Sequence, residues 1–195
     1  MYGRIEMITG PMFSGKTTEL MRRLRRLSYA KIEFLLFKPK KDARYSLDQV
    51  ASHDGDKINS IVIDSAKEIM LHLKENKKVK VIAIDEVMFF DRFIIKVVDF
   101  LSENGYRVIM TGLDKNFKGE AYGPMKELIC VADSVVKLTA ICSVCGEDAT
   151  MTQRMINDKP AAYNDKVLMV GSTECYEARC REHYEILGKP KLKLE

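Results

Sequence analysis

Four short runs rich in β-branched and apolar residues punctuate the chain: Ile5–Thr9, Ile32–Phe37, Val79–Asp85 and Val108–Gly112. Three are nearly unbroken, the pattern of strands covered on both faces. Between them the hydrophobic period lengthens to that of a helix. Lys16–Ala30 aligns Leu20, Met21, Leu24 and Leu27 on one face. Ala66–Asn76 is a second helical stretch. Arg92–Glu103 carries apolar pairs at Phe93/Ile94, Val97/Val98 and Phe100/Leu101, then stops at Asn104-Gly105. Ser134–Leu138 is a fifth apolar run. Strand–helix alternation of this kind predicts an α/β fold around a parallel sheet.

The character changes near Ile141. Paired cysteines and polar turns replace the helical pattern. We expect an α/β domain over residues 1–140, a small metal-stapled and loop-rich domain over 141–188, and a flexible tail at 189–195.

Composition narrows the class. With 46% hydrophobic and 31% charged residues over 195 positions, the chain is globular rather than disordered. No apolar run approaches the roughly 18 residues of a membrane span. The N-terminal segment turns polar at Arg4 and does not read as a signal peptide, so a cytoplasmic protein without membrane partners is expected. Five cysteines are too few and too unevenly spread for a disulfide scaffold. The net charge of +4 falls short of the basic balance of a dedicated nucleic-acid binder, so no nucleic-acid partner is expected. The run Arg22, Arg23, Arg25, Arg26 is assigned to the solvated face of the first helix.

Gly10, Pro11, Met12, Phe13, Ser14, Gly15, Lys16 and Thr17 fit the phosphate-binding pattern G-x-x-x-x-G-K-[ST], with Thr18 following. A strand precedes the motif and an amphipathic helix follows, the context it requires. Its glycines let backbone N–H groups curl around phosphate oxygens, and the helix N-terminus adds positive potential. Lys16 would reach the β/γ phosphates of ATP, and the Thr17 hydroxyl would bind Mg2+. Asp85 ends an apolar run and would hold the same ion, at the carboxyl end of a neighbouring strand. Glu86 is placed to accept a proton from an attacking hydroxyl.

Cys142-Ser143-Val144-Cys145 and Cys180-Arg181-Glu182-His183 are two knuckles offering three thiolates and one imidazole, a tetrahedral zinc set. Cys175 is a rival ligand by proximity. Cys130 lies in an apolar helical stretch and is expected in the core. No position for a reactive metal-bound water is evident, so the zinc is read as structural.

Taken in this order, the motifs resemble those of the type II thymidine kinases. Gly10–Leu20 matches that family's cradle almost letter for letter. Arg44-Tyr45-Ser46 and Ser52-His53-Asp54-Gly55 match its mobile loop, where Arg44 or Asp54 would approach phosphate or Mg2+. Gly112–Gly123 is similar to its nucleoside-contacting segment, and Val136–Ala140 leads into the first knuckle as in the family. The resemblance implies a recombinase-like P-loop domain carrying a zinc-stapled lasso. It implies a thymine pocket lined by Met12, Phe89, Leu113, Phe117 and Tyr122, with Met169, Val170, Gly171 and Tyr176 from the lasso. It further implies thymidine and ATP as substrates, feedback by thymidine triphosphate and a homotetramer. One departure stands out. The family signature Asp-Glu-x-Gln-Phe-Phe reads Asp85-Glu86-Val87-Met88-Phe89-Phe90 here, so a thioether replaces an amide near the site. The alternative reading is a recombinase-like ATPase acting on nucleic acid; a nucleotide sensor without transfer chemistry is a further one, disfavoured by the carboxylate pair.

Overall fold

The computed structural model describes residues 3–41, 49–51, 57–167 and 174–190. In chain order, β1 (Arg4–Thr9) leads through the cradle to α1 (Lys16–Tyr29) and β2 (Phe34–Pro39). An antiparallel pair follows, β3 (Gln49–Ala51) with β4 (Lys57–Asn59), and then β5 (Ile61–Ile63) and α2 (Lys67–Glu75). Next come β6 (Val81–Ile84), a 3-10 turn at Val87–Phe89, α3 (Phe93–Glu103), β7 (Arg107–Gly112), α4 (Met125–Val131) and β8 (Ser134–Lys137). The knuckle-bearing segment holds β9 (Ala140–Ile141), β10 (Asp148–Ala149), β11 (Met151–Ile156), β12 (Lys159–Pro160) and β13 (Glu174–Arg179).

Six strands form one sheet in the order β5-β2-β6-β7-β1-β8, and every pairing in it is parallel. Helices cover both faces. Leu20, Leu24 and Leu27 of α1 pack on Ile8, Leu36, Val81, Ala83 and Ile109. On the other face Ile69 and Leu73 of α2, Val97 and Leu101 of α3, and Met125 and Leu128 of α4 meet Met7, Phe37, Ile82, Ile84 and Met110. Strands buried on both sides need apolar residues at successive positions, which explains the unbroken runs. The α/β expectation therefore holds, with strand and helix ends moved by a residue or two.

Several details differ from the sequence reading. The strand carrying Asp85 is not beside β1, because β7 lies between them. The neighbour rule failed since strand order depends on long-range pairing, which periodicity does not report. β5 was not anticipated; it has three residues, too few to display a period. The apolar helical stretch around Cys130 is α4. Cys130 is exposed on α4, not in the core, because Met125 and Leu128 take that helix's inward face. Arg22, Arg25 and Arg26 are exposed as expected, but Arg23 turns inward to the buried Glu6 carboxylate at 2.6 Å. Arg107 meets the same carboxylate at 2.7 Å. Burial alone would raise the Glu6 pKa, but the Arg107 and Arg23 guanidiniums outweigh it and hold the carboxyl below its usual range. This pairing ties α1 to β1 and β7.

The knuckle-bearing segment is less loop-like than expected. β11 pairs antiparallel with β12 on one side and β13 on the other. The core of β11 reads Thr-Gln-Arg, a polar row without strand character in sequence. Arg44, Tyr45, Ser46, Ser52, His53, Asp54 and Gly55 lie outside the described residues.

The two faces of α3 make a direct check of this packing. Leu101 has no exposed surface, whereas the adjacent Phe100 is 45% exposed. Leu101→Ala is expected to cost about 2–5 kcal/mol of unfolding free energy. Phe100→Ala should cost less than about 1 kcal/mol despite removing more atoms. Urea midpoints at unchanged slope measure both, and equal losses would contradict the helix orientation.

Candidate functional site

Parallel pairing brings the carboxyl ends of β1, β6 and β7 to one edge of the sheet. The cradle leaves β1 there. Gly10 has a positive φ of 148° and passes so close to the Leu138 carbonyl that a Cβ would collide with it. Gly15 adopts φ 77° at the start of α1, where no side chain caps the helix. The first-turn amides of Lys16, Thr17 and Thr18 thus begin a helix whose N-terminus faces the loop, a geometry suited to an anion. Phe13, exposed, also holds a positive φ of 64°. The Lys16 ammonium is nearly buried and donates to the Pro11 carbonyl at 2.6 Å. Ser14 Oγ donates to the same oxygen at 2.8 Å.

Asp85 and Glu86 follow β6 directly. The intervening strand supplies the link to the cradle that direct pairing would otherwise give. Thr111 of β7 donates its hydroxyl to Asp85 Oδ1 in a short contact, and the Glu86 amide donates to the same oxygen at 3.1 Å. Thr9, at the end of β1, donates to the Gly112 carbonyl at 2.8 Å. Glu86 sits in the left-handed region with φ 50° and ψ 43°. Such a backbone costs a side-chain-bearing residue about 1–3 kcal/mol and is concentrated at functional positions. It ends the extended run of β6 and starts the 3-10 turn at Val87–Phe89.

The segment after β7 packs against the turn after Glu86. Phe89 and Tyr122 meet edge to face with centroids 5.7 Å apart. Met12, Phe89 and Tyr122 all pack against the core cluster that contains Leu113. Gly123, at φ 52°, touches the Met88 carbonyl so closely that any Cβ would clash. The Met88 side chain itself is 2% exposed and belongs to the core, so the thioether serves packing here. Asp114 is buried and pairs with Lys137 at 2.7 Å. Burial holds the Lys115 ammonium below the ordinary lysine value, although Asp114 beside it acts in the opposite direction.

Four knuckle residues converge. The ligand atoms of Cys142, Cys145, Cys180 and His183 all lie within 4.8 Å of one another. Cys142 Sγ is 3.9 Å from His183 Nδ1, Cys145 Sγ is 3.9 Å from Cys180 Sγ, and Cys180 Sγ is 3.2 Å from His183 Nδ1. A tetrahedron with zinc–sulfur bonds of about 2.3 Å has edges of about 3.8 Å, so the spacing fits that ion. Burial opposes ionisation of Cys142, but backbone groups of Cys180, Cys145 and Val144 outweigh it and bring its thiol to about 6. Cys175, the rival ligand, is exposed on β13 and does not belong to the cluster.

The link between this centre and the cradle was not anticipated. Thr152, Gln153 and Arg154 of β11 are 4%, 3% and 0% exposed. Thr152 Oγ1 accepts a hydrogen bond from the Met12 amide at 3.0 Å. Gln153 clamps the chain near the second knuckle, donating to the Glu185 carbonyl and accepting from its amide, each at 2.9 Å. Arg154 lies 4.1 Å from the centroid of the Phe117 ring. Further ties come from the Tyr184 hydroxyl to the Phe117 carbonyl, and from Tyr163 to Glu120 at 2.6 Å. Phe117, 4% exposed, is thus enclosed by the knuckle-bearing segment. Tyr176 of β13 stands opposite Arg154 in the ladder. Met169, Val170 and Gly171 lie outside the described residues. A run of three polar residues ahead of a hydrophobic pair gave no cue to burial; only their partners, distant in sequence, make it tolerable.

Comparison with known proteins places this geometry in context. Domain III of the Thermotoga maritima replication initiation protein DnaA is 12% identical, with a TM-score of 0.43 over 71% of this chain and 56% of that one, too loose a likeness to argue from. Thymidine kinases from two strains of Ureaplasma parvum serovar 3 are each 49% identical over 193 residues, spanning 97% of this chain and 86% of the relative. The thymidine kinase family model matches residues 3–184, which take in the cradle, the Asp85–Glu86 pair and both knuckles. The chain belongs to the thymidine kinase family.

Proposed function

We propose that the protein transfers the γ-phosphoryl group of ATP to the 5′-hydroxyl of thymidine, and of deoxyuridine, as a nucleotide-salvage enzyme. The observation that supports this most is the shared sheet edge. A phosphate cradle, a carboxylate pair and an aromatic-lined segment leave three parallel strands within one hydrogen-bonded unit.

In this reading the cradle amides and Lys16 hold the β and γ phosphoryl oxygens. Lys16 exchanges its contact with the Pro11 carbonyl for phosphate. The Thr17 hydroxyl and the Asp85 carboxylate are hard oxygen donors suited to Mg2+, which when bound offsets charge on the phosphoryl oxygens. Glu86 accepts the proton of the 5′-hydroxyl as its oxygen bonds to the γ-phosphorus. The bond from that phosphorus to the bridging oxygen breaks, and ADP leaves with the electron pair. Met12, Phe89, Leu113, Phe117 and Tyr122 supply apolar walls that orient the nucleoside and exclude water. Cys142, Cys145, Cys180 and His183 would hold a structural zinc ion, which braces the segment enclosing Phe117. The family resemblance supports a cytoplasmic homotetramer inhibited by thymidine triphosphate; sizing the protein and titrating that nucleotide test both.

Transfer of labelled γ-phosphate to a panel of nucleosides tests the whole reading. The family resemblance, together with the scarcity of polar side chains among the named pocket residues, supports assigning backbone groups near 169–171 to the Watson–Crick edge of the base. Thymine N3–H is a donor and cytosine N3 an acceptor, so a carbonyl aimed at the former faces a lone pair in the latter. The expected order of kcat/KM is thymidine, deoxyuridine within roughly 10–200-fold, and deoxycytidine far behind. Efficient use of deoxycytidine would reject backbone readout.

Glu86→Gln keeps the shape of the site and removes its base. Binding of both substrates should persist while turnover falls about 10²–10⁴-fold. A variant with more than about half the wild-type rate, measured where chemistry limits, would remove Glu86 from that role.

Cys145→Ser and His183→Ala should each release zinc. The six-stranded sheet has its own core and should stay folded, with ATP binding retained and thymidine affinity lost. Cys175→Ser should keep its metal. Wild-type protein purified without chelator and found free of zinc would overturn this assignment.

A further inference from the structure

Among the described residues Arg154 is the largest side chain with no exposed surface, and the apolar cluster of the sheet does not explain it. Burying a guanidinium is costly unless its faces and edges are used. Both are. Its guanidinium carbon lies over the Phe117 ring, 4.1 Å from the centroid. One terminal nitrogen donates to the Lys166 carbonyl at 2.7 Å and reaches the Val167 carbonyl at 3.3 Å. Tyr176 is its cross-strand neighbour. One side chain therefore joins the segment after β7 to the chain at 166–167, from a strand that is itself paired with β13.

We propose that Arg154 is a positioning residue for the nucleoside. It sets the Phe117 ring and the backbone at 166–167 in a single arrangement, so that the pocket wall is formed before substrate arrives. This rests on the reading of 113–123 as nucleoside-contacting. Only arginine combines a planar face for the ring with edge donors for carbonyls. Lysine could donate but has no plane to stack; methionine could fill the space but cannot donate. Arg154 holds Phe117 and the carbonyls of Lys166 and Val167, so its effect should fall on nucleoside affinity and leave ATP binding alone.

The test compares Arg154→Lys and Arg154→Met with wild type in the full-length, zinc-loaded protein. Thymidine KM, ATP KM and kcat are measured, with thymidine Kd by calorimetry and zinc by metal analysis. Both variants should retain zinc and raise thymidine KM and Kd by about 10-fold or more, since a stack and a charged hydrogen bond are broken together. The ATP KM should stay within about 2-fold and kcat within about 3-fold. Lysine should rescue neither thymidine constant. Thymidine affinity unchanged in either variant overturns the proposal, as does a parallel loss of ATP binding and zinc. If the Arg154 variants do not fold, Phe117→Leu carries the test through the other partner: it must give the same split between thymidine and ATP, and a uniform loss rejects the idea. Wild-type protein that binds no thymidine would instead overturn the substrate reading, and this proposal with it.

Discussion

Parallel pairing compels every strand of the sheet to end on the same edge, and all the proposed transfer chemistry hangs from that edge. β1 delivers the cradle, β6 delivers Asp85 and Glu86, and β7 delivers the segment from Leu113. The sheet can be parallel because both faces are covered, by α1 on one side and α2, α3 and α4 on the other. Loss of either layer would expose strands that are apolar at successive positions. The position of the carboxylates relative to the cradle is therefore a consequence of core packing rather than of any local contact. Hydroxyls then refine it: Thr111 holds Asp85 and Thr9 holds the end of β7.

The knuckle-bearing segment obeys a different logic. Its own apolar cluster is small, made of Ala140, Cys142, Ala149 and Ala178 with Cys180 packed against it. A group of that size contributes little hydrophobic stabilisation, which is why small units rely on metal or other cross-links. The convergence of three thiols and an imidazole fits that need. Attachment to the sheet is polar. Thr152 receives the Met12 amide, Arg154 lies on Phe117, and Tyr184 reaches the Phe117 carbonyl. Buried polar contacts are specific in geometry and costly when broken, so they hold one orientation rather than a range of them. That property suits a pocket wall.

Two backbone positions show how strain and close approach serve the same edge. Glu86 accepts a left-handed conformation between the end of β6 and the 3-10 turn at Val87–Phe89. Gly123 abuts the Met88 carbonyl, and this lets Phe89, in the turn after Glu86, meet Tyr122. Met88 could follow an acidic pair without joining the site because the turn directs its side chain into the core.

What the sequence determined by itself was local. The cradle spacing, the carboxylate pair after an apolar run, the unbroken strands, the amphipathic face of α1 and the two knuckles each fall within a few residues, where periodicity and motif geometry act. The tertiary structure decided the rest. Strand order put β7 between the cradle and Asp85, and Arg23 turned inward because Glu6 is buried beside it. Cys130 faces out because α4 spends its inward face on Met125 and Leu128. Above all, Thr152, Gln153 and Arg154 are a polar row in the sequence and yet are among the most buried polar side chains of the described residues. Their environment is made by Met12, Glu185, Phe117 and Lys166, residues up to 140 positions away along the chain. Burial of a polar side chain depends on partners brought by the fold, and a linear pattern of hydrophobicity carries no record of them.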